Sequence, residues 1–198
     1  MATILIFHSV LGLRPIEVST VARLQARGHR AFAPDLFEGL TAATVEEGFE
    51  IMDQIGWTPI CNRARAALDQ APPTAVLVGF SMGAGVVSSL WPERRQAGGI
   101  ILLHGLASVP ANMGLHVPIQ VHLADPDAFA PPPQLQEWMH INAGFGTSTE
   151  VFRYPDLGHF FTDPSLDDFD AHGAELVWDR VNRFLDMVDR GPVAMADA

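Results

Sequence analysis

Strand-like apolar runs recur along the chain at Ile4 to Phe7, Ala31 to Ala33, Ala75 to Val78, Gly99 to Leu103, Ile119 to Leu123 and Glu150 to Tyr154. Between most of them, apolar residues return at the three- and four-residue spacing of a helix. Ile16 to Arg27 is one such segment, closed by Gly28. Val45 to Gln70 reads as two helices broken near Gly56 and Pro59, and Gln134 to Asn142 as another, after the rigid turn Pro131-Pro132-Pro133. The last predicted helix carries Val177, Val181, Phe184, Leu185 and Val188 as one apolar stripe, set against Asp179, Arg180, Asn182 and Arg183. Strands apolar throughout are covered on both faces, and their alternation with helices predicts an α/β fold: a mostly parallel sheet, helices on both sides, right-handed crossovers. One domain over residues 1–190 is expected, with 191–198 a disordered tail.

Ligands of such sheets sit at the carboxyl ends of the strands. The residues there are His8-Ser9-Val10, Pro34-Asp35-Leu36, Ser81-Met82, His104-Gly105, Ala124 to Asp127 and Pro155 to His159. One of these ends has a distinctive form. The run Ala75 to Val78 ends in Gly79-Phe80-Ser81-Met82-Gly83 and passes directly into the helix-forming stretch Ala84 to Leu90, the pattern of a nucleophile elbow. A serine in a tight strand-to-helix turn needs neighbours without side chains, which Gly79 and Gly83 supply. The N–H of Met82 then begins a helix whose positive end stabilises a developing oxyanion.

Composition removes several other chemistries. All 12 basic residues are arginine, so Schiff bases, pyridoxal phosphate attachment and a phosphate-loop lysine are excluded. A formal net charge of -11 with scattered arginines argues against nucleic acid as a partner. No apolar run approaches the roughly 20 residues that span a bilayer, so no membrane association is expected. The lone Cys61 forms no internal disulfide and reads as a small buried apolar residue in a cytoplasmic protein. No histidine and carboxylate set has metal-ligand spacing, and neither metal nor cofactor is expected.

A serine hydroxyl attacks only when a base takes its proton, and that base is held in one tautomer by a third group. In this order of elements the acid and then the histidine follow the serine, each on a loop after a later strand. His159, in Tyr154-Pro155-Asp156-Leu157-Gly158-His159, stands where the base is expected. Asp125 and Asp127 both follow the strand Ile119 to Leu123, and spacing does not separate them. His8 and His104, at strand ends, are candidate substrate contacts.

Together these residues resemble the dienelactone hydrolase family of the α/β-hydrolase fold, over nearly the whole chain. The resemblance is carried by the opening strand with Val10-Leu11-Gly12-Leu13, by Ala33-Pro34-Asp35-Leu36, by the elbow, by Asp127-Ala128-Phe129-Ala130-Pro131, and by Tyr154-Pro155 with Gly158-His159. It implies Asp127 as the acid and the N–H of Val10 as the second oxyanion donor. Three departures stand out: Ser81 where members acting on dienelactone usually have cysteine, Ser9 where they have an activating glutamate, and Asp163 near the point where they clamp a carboxylate with arginine. At that last point an anion is repelled.

The expected activity is serine acyl transfer on a small ester or lactone, with Ser81, His159 and Asp127 as the relay. Phe37, Met113, Phe160 and Phe161 are expected to line an apolar pocket with the segment Phe37 to Trp57, and Ser9 to contact substrate. A non-catalytic small-molecule-binding protein on this fold is the alternative from another class. A thioesterase or peptidase with the same residues is the nearer one.

Overall fold

The structure is a computed structural model that describes residues 1–110, 117–144 and 148–190. Met113, His116 and the expected tail at 191–198 lie outside the described residues. Six strands, β1 (Thr3–Phe7), β2 (Arg30–Phe32), β3 (Val76–Phe80), β4 (Gly99–Leu103), β5 (Ile119–Asp125) and β6 (Thr149–Pro155), form one sheet in the order β2-β1-β3-β4-β5-β6. Every pairing between these strands is parallel.

Alternate residues of each strand feed two cores. On one face Leu5, Phe7, Leu77, Ile100 and Leu102 pack under α2 (Val45–Ile55), α3 (Trp57–Leu68), α4 (Met82–Leu90) and α5 (Pro132–Gly144). On the other, Ile4, Ile6, Val76, Val78 and Ile101 meet α1 (Pro15–Ala26) and α6 (Ala171–Arg190). The apolar stripe of α6 is the buried one: Val177, Val181, Phe184 and Leu185 are all in the core. The two-faced burial inferred from uninterrupted apolar runs is therefore the observed architecture.

The helical break between Val45 and Gln70 falls at Gly56 alone, at φ 86°. Pro59 lies in the first turn of α3, where a backbone N–H has no intrahelical acceptor to lose. Cys61 is buried, and burial pushes its thiol pKa up. Among the described residues no helix is long and apolar enough to cross a membrane.

Candidate active site

The elbow forms because two glycines permit two close approaches. A Cβ on Gly79 would stand 2.6 Å from the backbone of Gly83 and Ala84, and one on Gly83 would collide with the carbonyl oxygen of Phe7. The serine between them is forced to φ 49°, ψ -108°, a conformation that costs a non-glycine residue about 1–3 kcal/mol. Its own N–H donates to the Leu103 carbonyl oxygen at 2.8 Å, tying the turn to β4. Strain at one residue is thus held by a buried strand and helix on either side.

The His159 loop follows β6. The N–H of Phe160 donates to the Asp168 carboxylate at 3.0 Å, which fixes the backbone beside the imidazole. Nε2 of His159 lies 2.9 Å from the Ser81 hydroxyl oxygen. Nδ1 lies 2.9 Å from both carboxylate oxygens of Asp127, whose side chain is fully buried. A carboxylate only accepts, so Nδ1 carries the proton and the Nε2 lone pair is directed to the serine O–H. Asp127 Oδ1 also accepts from the N–H of Phe129 at 2.9 Å. Asp125, which spacing left as an equal candidate, instead pairs with Arg153 on the surface.

A cavity of about 260 Å³ opens on Ser81. Val10, Met82, His104, Gly105 and Leu106 form its inner wall, and Phe49, Trp57 and Phe129 its rim. The rim aromatics are half-exposed, from 40% for Phe49 and Trp57 to 46% for Phe129. The N–H of Met82, at the first position of α4, has no intrahelical acceptor, and that of Val10 donates to no carbonyl among the described residues. Both residues line the cavity that opens on the serine.

Of the five expected substrate contacts, only His104 lines this cavity. Its Nε2 is 2.7 Å from the Thr162 hydroxyl, and burial holds its pKa well below the usual histidine value, so it is neutral. His8 is wholly buried: Nε2 accepts the N–H of Leu36 at 3.0 Å and Nδ1 donates to the Ser9 carbonyl at 2.7 Å. With both nitrogens spent on backbone, it has nothing to offer a ligand. Phe37 packs edge-on against it in the core, and Phe161 is in the core of the opposite face. The Ser9 hydroxyl accepts from the N–H of Leu11 at 3.2 Å and closes its own loop. Phe160 packs edge-on against His159, its ring centroid 4.5 Å from the imidazole, and lies outside the cavity lining. Asp163 is likewise buried away from the cavity, paired with Arg14 at 3.4 Å, and does not present a charge to an incoming ligand.

Phe49 and Trp57, within the expected lining segment Phe37 to Trp57, do line the cavity, whereas sequence reasoning missed Leu106 and Gln134. The model of the dienelactone hydrolase family matches residues 1–188. The chain belongs to the dienelactone hydrolase family. Membership carries hydrolase chemistry with it, on the α/β-hydrolase fold described above. Among solved structures, a dienelactone hydrolase-like promiscuous phosphotriesterase from metagenomic libraries superposes with a TM-score of 0.74 at 18% identity, covering 94% of this chain and 86% of that one. An α/β hydrolase from a deep-sea metagenome superposes at 0.62 with 13% identity, over 94% and 84%. A carboxylesterase from Lactobacillus plantarum superposes at 0.57 with 16% identity, over 98% and 88%. At these identities the likeness is one of fold. No curated protein sequence matches this dienelactone hydrolase family member.

Proposed function

We propose that the chain is a serine hydrolase that cleaves small neutral carboxylic esters or lactones through an acyl-enzyme intermediate. The reading rests on one observation: a serine oxygen 2.9 Å from an imidazole nitrogen whose other nitrogen is held by a buried carboxylate. In this reading His159 takes the Ser81 proton as the oxygen attacks the carbonyl carbon. The tetrahedral oxyanion is held by the N–H groups of Val10 and Met82, and the imidazolium returns its proton to the leaving alcohol. Water then attacks the acyl-enzyme with the same base, and Ser81 recovers its proton as the acid departs.

The cavity supports a neutral, apolar substrate. Among the described residues its lining includes no arginine, His104 is uncharged, and Gln134 offers only an amide. A carboxylate-bearing substrate would enter without a counter-charge, towards a protein with a formal net charge of -11. Turnover of a p-nitrophenyl ester series by the parent protein and Ser81→Ala tests the assignment: hydrolysis by the parent, favouring short neutral acyl chains, and none above background by the variant. Equal rates from both would end it.

A further inference from the structure

Glu17 is a wholly buried acid that the chemistry above does not use. It sits in the third position of α1, where a glutamate commonly reaches back to cap the helix, and its Oε2 does accept the N–H of Arg14 at 2.9 Å. Capping needs no more than that bond and no burial. Yet Oε1 also lies 3.4 Å from the N–H of Ser9, at the other end of the loop. The two bonds bracket Val10. The loop is further tied across the site: the Arg14 guanidinium pairs with Asp163 at 3.4 Å and donates to the Ser165 hydroxyl at 2.5 Å. Asp163 in turn donates its N–H to the Phe160 carbonyl at 2.9 Å, in the turn that follows His159.

We infer that Glu17 is a positioning residue for the oxyanion loop, its carboxylate spanning Ser9 and Arg14 so that the N–H of Val10 is fixed in the wall of the Ser81 cavity. This rests on the serine-hydrolase reading. Burial raises the Glu17 pKa to about 7, with Asp163 adding to the rise, so folding bears a cost for this acid that an apolar residue of similar size would avoid. What only the acid provides is two acceptors for two N–H groups on either side of the donor loop.

The test uses the full chain with Glu17→Gln, which keeps one acceptor, and Glu17→Met, which keeps the volume and none. Competent sites are counted by fluorophosphonate titration, so that kcat is expressed per folded, reactive serine. The inference predicts that kcat per site falls about 10-fold in the Gln variant and about 100-fold in the Met variant, with KM within about threefold of the parent. If the Met variant does not fold, the Gln variant carries the test alone. A kcat per site within twofold of the parent, or a loss confined to KM, overturns it. Ser81→Ala is the control: retained turnover there would remove the underlying reading, whereas its loss beside an unaffected Glu17 variant removes this inference only.

Discussion

Gly48 of α2 lies against the carbonyl of Val10 so closely that a Cβ built on it would stand 2.5 Å from the Val10 oxygen and 3.2 Å from its Cγ1. A glycine inside a helix costs about 1 kcal/mol relative to alanine, so propensity alone favours replacing it. Contact with the Val10 loop explains why it stands there. Gly48→Ala is expected to lower kcat/KM about 10- to 100-fold and also to lower the melting temperature, the reverse of what propensity predicts. Ester assays and thermal unfolding of the one variant check both signs.

Asp127 and Asp125 stand two residues apart and have separate surroundings. Asp127 is buried on the His159 imidazole, while Asp125 pairs with Arg153 in solvent. Asp127→Asn is expected to reduce kcat about 10³- to 10⁴-fold, because an amide favours the wrong imidazole tautomer. Asp125→Asn is expected to stay within about twofold, since exposed pairs contribute little. Steady-state kinetics on the two variants reads both.

The fold itself titrates. His8, His104 and His122 are buried and held below the ordinary histidine pKa chiefly by desolvation, His122 down to about 3. His122 is satisfied as a neutral ring between the Tyr154 hydroxyl at 2.7 Å and the Gln120 side-chain oxygen at 3.0 Å. A depressed base contributes stability that is complete above its unfolded pKa and is lost as pH falls below about 6.5, because the unfolded chain takes up protons first. Glu17, raised from 4.5 to about 7, acts in the opposite sense: its contribution declines as pH rises from about 4.5 to 7. With three bases against one acid, urea-unfolding free energy is expected to fall as pH drops from 6.5 to 5. Glu17→Gln, lacking the opposing group, should steepen that fall.

Trp57 reaches over α4. Its Nε1–H donates to the Ser89 hydroxyl at 3.2 Å, and a Cβ on Gly85 would sit 3.2 Å from its ring. Since this ring forms part of the cavity rim, Trp57→Ala is expected to raise the hexanoate-to-acetate ratio of kcat/KM about tenfold, with little loss on acetate. An unchanged ratio would place the acyl chain elsewhere.

The parts of the site legible in the sequence are those with a backbone requirement. Ser81 is marked by the glycines that its turn needs, and His159 by its loop after the last strand. Asp127 required the family resemblance, because an Asp-Pro-Asp run offers two carboxylates and only the chain's path past the imidazole separates them. His8 and Phe37 were misread for a physical reason: the end of a strand fixes where a residue is, not which way its side chain turns, and His8 turns inward to the Leu36 N–H. Glu17 left no distinguishing mark, since a helix-start acid is an ordinary feature of amphipathic helices.

The central claim is that Ser81 becomes covalently acylated with His159 as its base. Mixing the protein with a fluorophosphonate and mapping the adduct by mass spectrometry tests it most directly. One adduct per chain at Ser81, formed quickly in the parent and at least about 1,000-fold more slowly in His159→Ala, is the predicted result. An adduct on another residue, or labelling of Ser81 at the same rate without His159, would contradict it.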